Sequence, residues 1–178
     1  MSLPTPHETD FVRYLVSLTA PENRDGRAAL AALRRGLGRR PGTAAETYPY
    51  VAPRAPQTEG WDSDRYYLVA SLFASHPLNW PGGESDTETN FGASLRRAKR
   101  DSGGAQAQLI ALLNSDRNEL PDRMRHSVSL CAAAQPGPVP VDWAQLLSDL
   151  RWWSSDRRDV QRRWASSFWR PVETKEEE

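Results

Sequence analysis

Few side chains in this 178-residue chain stand at spacings that would support catalysis or hold a metal. The three histidines are His7, His76 and His126, and Cys131 is the single cysteine. They form no His-x-x-x-His or Cys-x-x-Cys pattern, so the ligand spacing of a zinc site is missing. His76 precedes a proline at an expected helix end, where a cap or surface group belongs, and His126 reads as an exposed helical residue. Cys131 falls on an apolar helix face and reads as inert core. Asp62 and Asp64 could pair on Mg²⁺, but they bracket an expected helix start, where Asp and Ser serve as caps. Glu84, Asp86 and Glu88 lie in a loop without a fixed partner. There is no phosphate-binding glycine loop and no dinucleotide fingerprint. The chain reads as a non-enzyme that needs neither metal nor cofactor.

The arginines carry more information. The chain has 23 Lys plus Arg against 23 Asp plus Glu, yet the signs are sorted into blocks. Residues 24–40 hold Arg24, Arg27, Arg34, Arg35, Arg39 and Arg40 against Asp25 alone. Residues 95–125 hold seven basic groups against four acidic ones, and residues 151–170 hold six against two. The acids gather at 41–64, at 84–88 and in the tail Glu173–Glu178. A neutral protein can thus present a local positive surface, and local field rather than net charge attracts a polyanion. The partner suggested is nucleic acid. Of the basic residues 21 are Arg and two are Lys. A GC-rich genome gives that bias, and so does a need to fork onto phosphates and stack on bases.

These side chains have to be positioned by helices, because helical spacing dominates and no stretch alternates as a strand does. The spacing predicts an all-α protein of about nine helices in two small helical-bundle lobes. Helices are expected near 8–19, 24–37, 43–49, 64–76, 90–100, 104–115 and 121–134, then from Asp142 and again around Val160–Phe168. Asn90 and Asp142 read as N-caps, with Gln145 three residues after the latter. The Pro-rich segment 135–140 reads as a stiff connector between an N-terminal lobe, 1–134, and C-terminal helices over 141–170. An acidic tail, 171–178, follows. Trp143, Trp164 and Phe168 are expected to hold those C-terminal helices together as antiparallel neighbours.

At about 100° per residue, Arg27, Arg34 and Arg35 share an arc beside the apolar face of Leu30, Leu33 and Leu37. Arg96, Arg97 and Arg100 lie away from Phe91, Leu95 and Ala98. Arg123 and Arg125 flank the face of Met124, Val128 and Cys131. Arg162 and Arg163 lie off the stripe of Val160, Trp164 and Phe168. An ordinary solvated face mixes signs, since opposite charges support a helix through neighbouring pairs. Several Arg-rich faces with few acids are therefore the candidate nucleic-acid surface. No apolar run approaches the roughly 20 residues of a membrane span. One cysteine and no secretory start suggest the cytoplasm.

The run Tyr66–Pro77, followed by Asn90-Phe91-Gly92-Ala93-Ser94-Leu95-Arg96-Arg97, resembles the CasB family. So does Pro140-Val141-Asp142-Trp143-Ala144-Gln145-Leu146-Leu147, with Val160-Gln161-Arg162-Arg163-Trp164 and Phe168-Trp169 after it. The likeness covers about residues 8–170 and is weaker in the 41–60 and 79–89 loops. Where that family commonly carries an arginine pair, this chain has Gln106, Ala107 and Gln108. The resemblance implies an all-α, non-catalytic small subunit of Cascade, the type I-E CRISPR surveillance complex. It implies as partners the guide RNA, the target DNA with its displaced strand, the backbone and large subunits, and a second copy of the chain. Two other readings of the residues stay open: a scaffold whose arginines dock acidic protein surfaces, and a stand-alone nucleic-acid-binding regulator.

Overall fold

The computed structural model describes residues 3–81, 89–99 and 103–170. Among them are nine α-helices: α1 (Pro6–Ser17), α2 (Gly26–Arg34), α3 (Tyr48–Val51), α4 (Trp61–Ser75), α5 (Phe91–Lys99), α6 (Gly103–Asn114), α7 (Leu120–Ala132), α8 (Trp143–Arg151) and α9 (Asp159–Trp169). A 3-10 turn over Ala45–Thr47 leads into α3. The only extended pairing among the described residues is an isolated bridge between Asn79 and Val141. The fold is all-α, as the spacing predicts.

Capping sets several starts. Thr5 accepts from the Glu8 amide, and the Glu8 carboxylate accepts from the Thr5 amide, so both donors at the head of α1 are satisfied. Asn90 accepts from Ala93 N at the start of α5, and Asp142 from Gln145 N at the start of α8. Asp62 and Asp64 do fall in the first turn of α4, but no side chain caps it; Gly60 stands there with φ 77°.

α4 is the central helix. It is apolar nearly all round, as suits a helix with neighbours on every side: Tyr66, Leu68, Val69, Leu72 and Phe73 are all buried. α2, α3, α7 and α8 pack against it, and α1 lies on α8. Beyond α7 come α5 and α6, and α9 lies along α5. At that last contact Gly92 has no alternative: a Cβ there would stand 2.1 Å from the Trp164 carbonyl oxygen.

Two features describe how the segments on either side of residues 135–140 are joined. The buried side chains on both sides of residues 135–140 form one continuous core. The connector is also bonded to what it crosses: Val139 N donates to Cys131 O, the His76 ring meets Val139 O at 2.7 Å, and Ser94 Oγ donates to Pro140 O. His76 is accordingly buried, not the surface group its position suggested. Trp143 packs on Phe73 of α4, and Trp164 on Phe91 of α5 and on Trp153. The C-terminal tryptophans therefore bind their helices into the N-terminal ones. Proline stiffness marks a connector, but not whether the elements it joins share a core.

Candidate nucleic-acid interface

The core decides which arginines are free to meet a ligand. Arg65, absent from every charged face above, is 1% exposed and held in the core. Its guanidinium donates to Glu8 at 2.7 Å and to Leu147 O at 2.6 Å, tying α1, α4 and α8 together. Arg163 is drawn in the same way. It pairs with Asp149, whose carboxylate is fully buried and also accepts from Gln145 Nε2 and Trp164 Nε1. Burial pushes the Asp149 carboxyl above the ordinary carboxylate range, against the pull of Arg163 and those donors. Arg34 donates through Nε to Ala74 O at 2.7 Å, where α4 runs out of its own donors.

The other expected residues are disposed as follows. Arg27, Arg35 and Arg162 are exposed and have no ion-pair partner among the described residues. Arg96 is half-buried. Arg97, also half-buried, lies over the Trp80 ring at 4.5 Å. Arg100 lies outside the described residues. Arg123 is half-buried, and its backbone carbonyl accepts from Gln108 Nε2. Arg125 pairs with Asp122 at 3.1 Å on the exposed side of α7. His126 is exposed on the same turn, as expected. Cys131 is buried, and burial pushes its thiol up to about 12. No group of three or more His, Cys, Asp or Glu side chains among the described residues could hold a metal ion.

Residues 34–42 run back along α4 from its C-terminal to its N-terminal end. Arg34 meets Ala74, a Cβ on Gly36 would strike Ser71 Oγ, and Gly42 lies against Asp64. This brings Arg39 and Arg40 to the head of α4, beside α7, where Arg125 lies next to Gly38. Arg117 comes to the same place, over the Trp61 ring at 5.3 Å. Arg39, Arg40, Arg117 and Trp61 were not in the expected set. The run Gly38-Arg39-Arg40-Pro41-Gly42 did carry a usable signal, because glycines at φ 73° and 78° make a tight turn that displays the arginine pair. Arg27, Arg96 and Arg162 stand on other elements, and no hydrogen bond or ion pair among the described residues joins them to this group.

The family model for the CRISPR-associated protein Cse2 matches residues 29–169. The chain belongs to the Cse2 family. A Cse2 protein of Thermus thermophilus is 33% identical over 156 residues, covering 84% of this chain and 83% of the relative. The crystal structure of a Cse2-family protein from that organism superposes with a TM-score of 0.75 at 30% identity, over 94% of this chain and 98% of that one. CasB from M. ruber gives 0.68 at 31% identity, over 92% and 93%. A chain of a CRISPR RNA-guided surveillance complex gives 0.69 at 26% identity, over 91% of each. The Cse2 match spans α4, α5, α8 and α9, the helices that carry the motif runs. No described helix is long and apolar enough to cross a membrane.

Proposed function

We propose that the chain is the non-catalytic small subunit of a type I-E Cascade surveillance complex in the cytoplasm. In this reading it stabilises guide RNA, target DNA and the displaced strand through arginine-rich surfaces. The observation that carries the proposal is the likeness, over nine-tenths of both chains, to a chain of an RNA-guided surveillance complex. Arg27, Arg35 and Arg162, exposed and without an ion-pair partner among the described residues, support the nucleic-acid part. Exchange of a DNA duplex for an RNA–DNA hybrid is nearly balanced. A few contacts to phosphate therefore suffice to tip it, without reading sequence. The exposed Trp152 and Trp169, 52% and 44% accessible, suit the accompanying contacts to backbone and large subunits or to a second copy.

The test is Arg27→Glu with Arg96→Glu and Arg123→Glu in the assembled complex, with circular dichroism as a check on folding. Target binding should weaken, and the slope of log affinity against log salt should flatten by about one unit for each phosphate that is no longer neutralised. Unchanged affinity and slope would replace this reading with that of a protein-docking scaffold.

A further inference from the structure

The turn 38–42, the head of α4 and the segment 117–122 enclose a cleft of about 500 Å³. That is the size of a small-ligand site. Its chemistry is specific. Trp61 forms one wall, half-buried, and its indole N–H is committed to Leu150 O at 2.6 Å, which fixes the ring plane. Arg117 lies over that ring and is exposed, free to swing aside or to stack on whatever enters. Arg40 lines the cleft without an ion-pair partner among the described residues. Arg39 has only a loose, exposed pair with Glu46 at 3.8 Å, which leaves its charge available. The wall between turn and helix is Asp64, close against Gly42. Its side chain makes no hydrogen bond among the described residues, and burial raises its pKa against the opposing pull of Arg40. The other lining carboxylate, Asp122, is occupied by Arg125.

The cleft thus combines a fixed aromatic ring, two available cations and one half-buried acceptor without a donor. An aromatic face takes a nucleobase of any kind. Arginines take its phosphate. An acceptor-only carboxylate selects a base edge that offers donors, and guanine offers two in parallel, its ring N1–H and its amino group. We infer that the cleft binds one unpaired guanine nucleotide, with the base on Trp61, its donor edge on Asp64 and its phosphate on Arg39 and Arg40. The nucleotide could be free or part of a single strand; the chemistry is shared. This inference rests on the nucleic-acid reading above but uses none of the residues by which that reading is tested.

The experiment is calorimetric titration of the full chain with guanosine 5′-monophosphate, with adenosine and thymidine 5′-monophosphates, and with single-stranded tetranucleotides with and without one guanine. Wild type should prefer guanine by at least about fivefold, the lower end of what one good bidentate contact discriminates. Asp64→Asn should bring the three bases within about twofold of one another while leaving the phosphate-dependent binding in place. Arg117→Ala should weaken all of them alike. Binding of the guanine tetranucleotide alone would identify the source as a strand, and binding of the monophosphate as well would admit the free nucleotide. No binding at millimolar concentrations, or a guanine preference unchanged in Asp64→Asn, would overturn the inference. Loss of target binding in the Arg27, Arg96 and Arg123 variant alongside no effect of the cleft variants would retain the proposed function and discard the cleft. The reverse pattern would retain the cleft and discard the arginine faces.

Discussion

Trp164 sits where α5, α8 and α9 are joined, and its replacement tests that join. The side chain is fully buried, with ring centroids 5.3 Å from Phe91 and 5.1 Å from Trp153, and its indole N–H donates to Asp149 at 2.7 Å. Trp164→Ala removes the ring and leaves a cavity, for about 3–5 kcal/mol. It also takes a donor from a buried carboxylate, for about 1–3 kcal/mol more. The sum, about 4–8 kcal/mol, is a large share of the roughly 5–15 kcal/mol stability of a typical domain, so this variant should be severely destabilised. Trp164→Phe separates the two effects. It keeps an aromatic ring against Phe91 and Trp153 but removes the N–H, and should cost about 1–3 kcal/mol. In an Asp149→Ala background no carboxylate is left to orphan, so the same change should cost less by about 1 kcal/mol or more. Urea unfolding followed by circular dichroism measures all of these proteins. If Trp164→Phe stays within about 0.5 kcal/mol of wild type, or costs the same in both backgrounds, the hydrogen bond does not stabilise the join and the reasoning is wrong.

Gly92→Ala should lower the melting temperature, because the added methyl meets the Trp164 carbonyl at 2.1 Å and forces α5 from α9. About 1–3 kcal/mol of overpacking outweighs the roughly 1 kcal/mol of better helix propensity; a variant as stable as wild type would contradict the close packing. Glu8→Gln should cost about 3–5 kcal/mol by leaving the Arg65 charge buried and uncompensated. Glu8→Leu with Arg65→Met should cost less than that single change, and chemical denaturation compares the two. The Cys131 thiol, raised to about 12 in the folded chain, keeps its proton where the unfolded chain, near its ordinary value of about 8.5, has lost it. Its contribution to stability is therefore intact below about pH 8.5 and declines as pH rises towards 12, by up to about 1.4 kcal/mol per unit. Cys131→Ala should remove that part of the decline, seen by comparing urea midpoints of the two proteins between pH 9 and 10.5.

Helix existence was legible because it depends on spacing along one chain. The stripe of Val160, Trp164 and Phe168, the Asn90 and Asp142 caps and the core position of Cys131 are all local properties of a 3.6-residue repeat. A helical wheel shows which way a side chain leaves its own axis, and Arg27, Arg35 and Arg162 are indeed outside. It does not show what stands opposite. Arg34 and Arg163 leave the apolar stripe just as those three do. Yet one meets the unsatisfied end of α4 and the other a buried Asp149 that only the approach of α8 to α9 supplies. His76 looked like a helix end in water until the connector folded over it. The cleft at Trp61 joins residues from 38 to 122, and no local pattern spans that distance. Those placements were decided by tertiary packing, because burying one continuous apolar core fixes which helix ends and which polar groups meet across it.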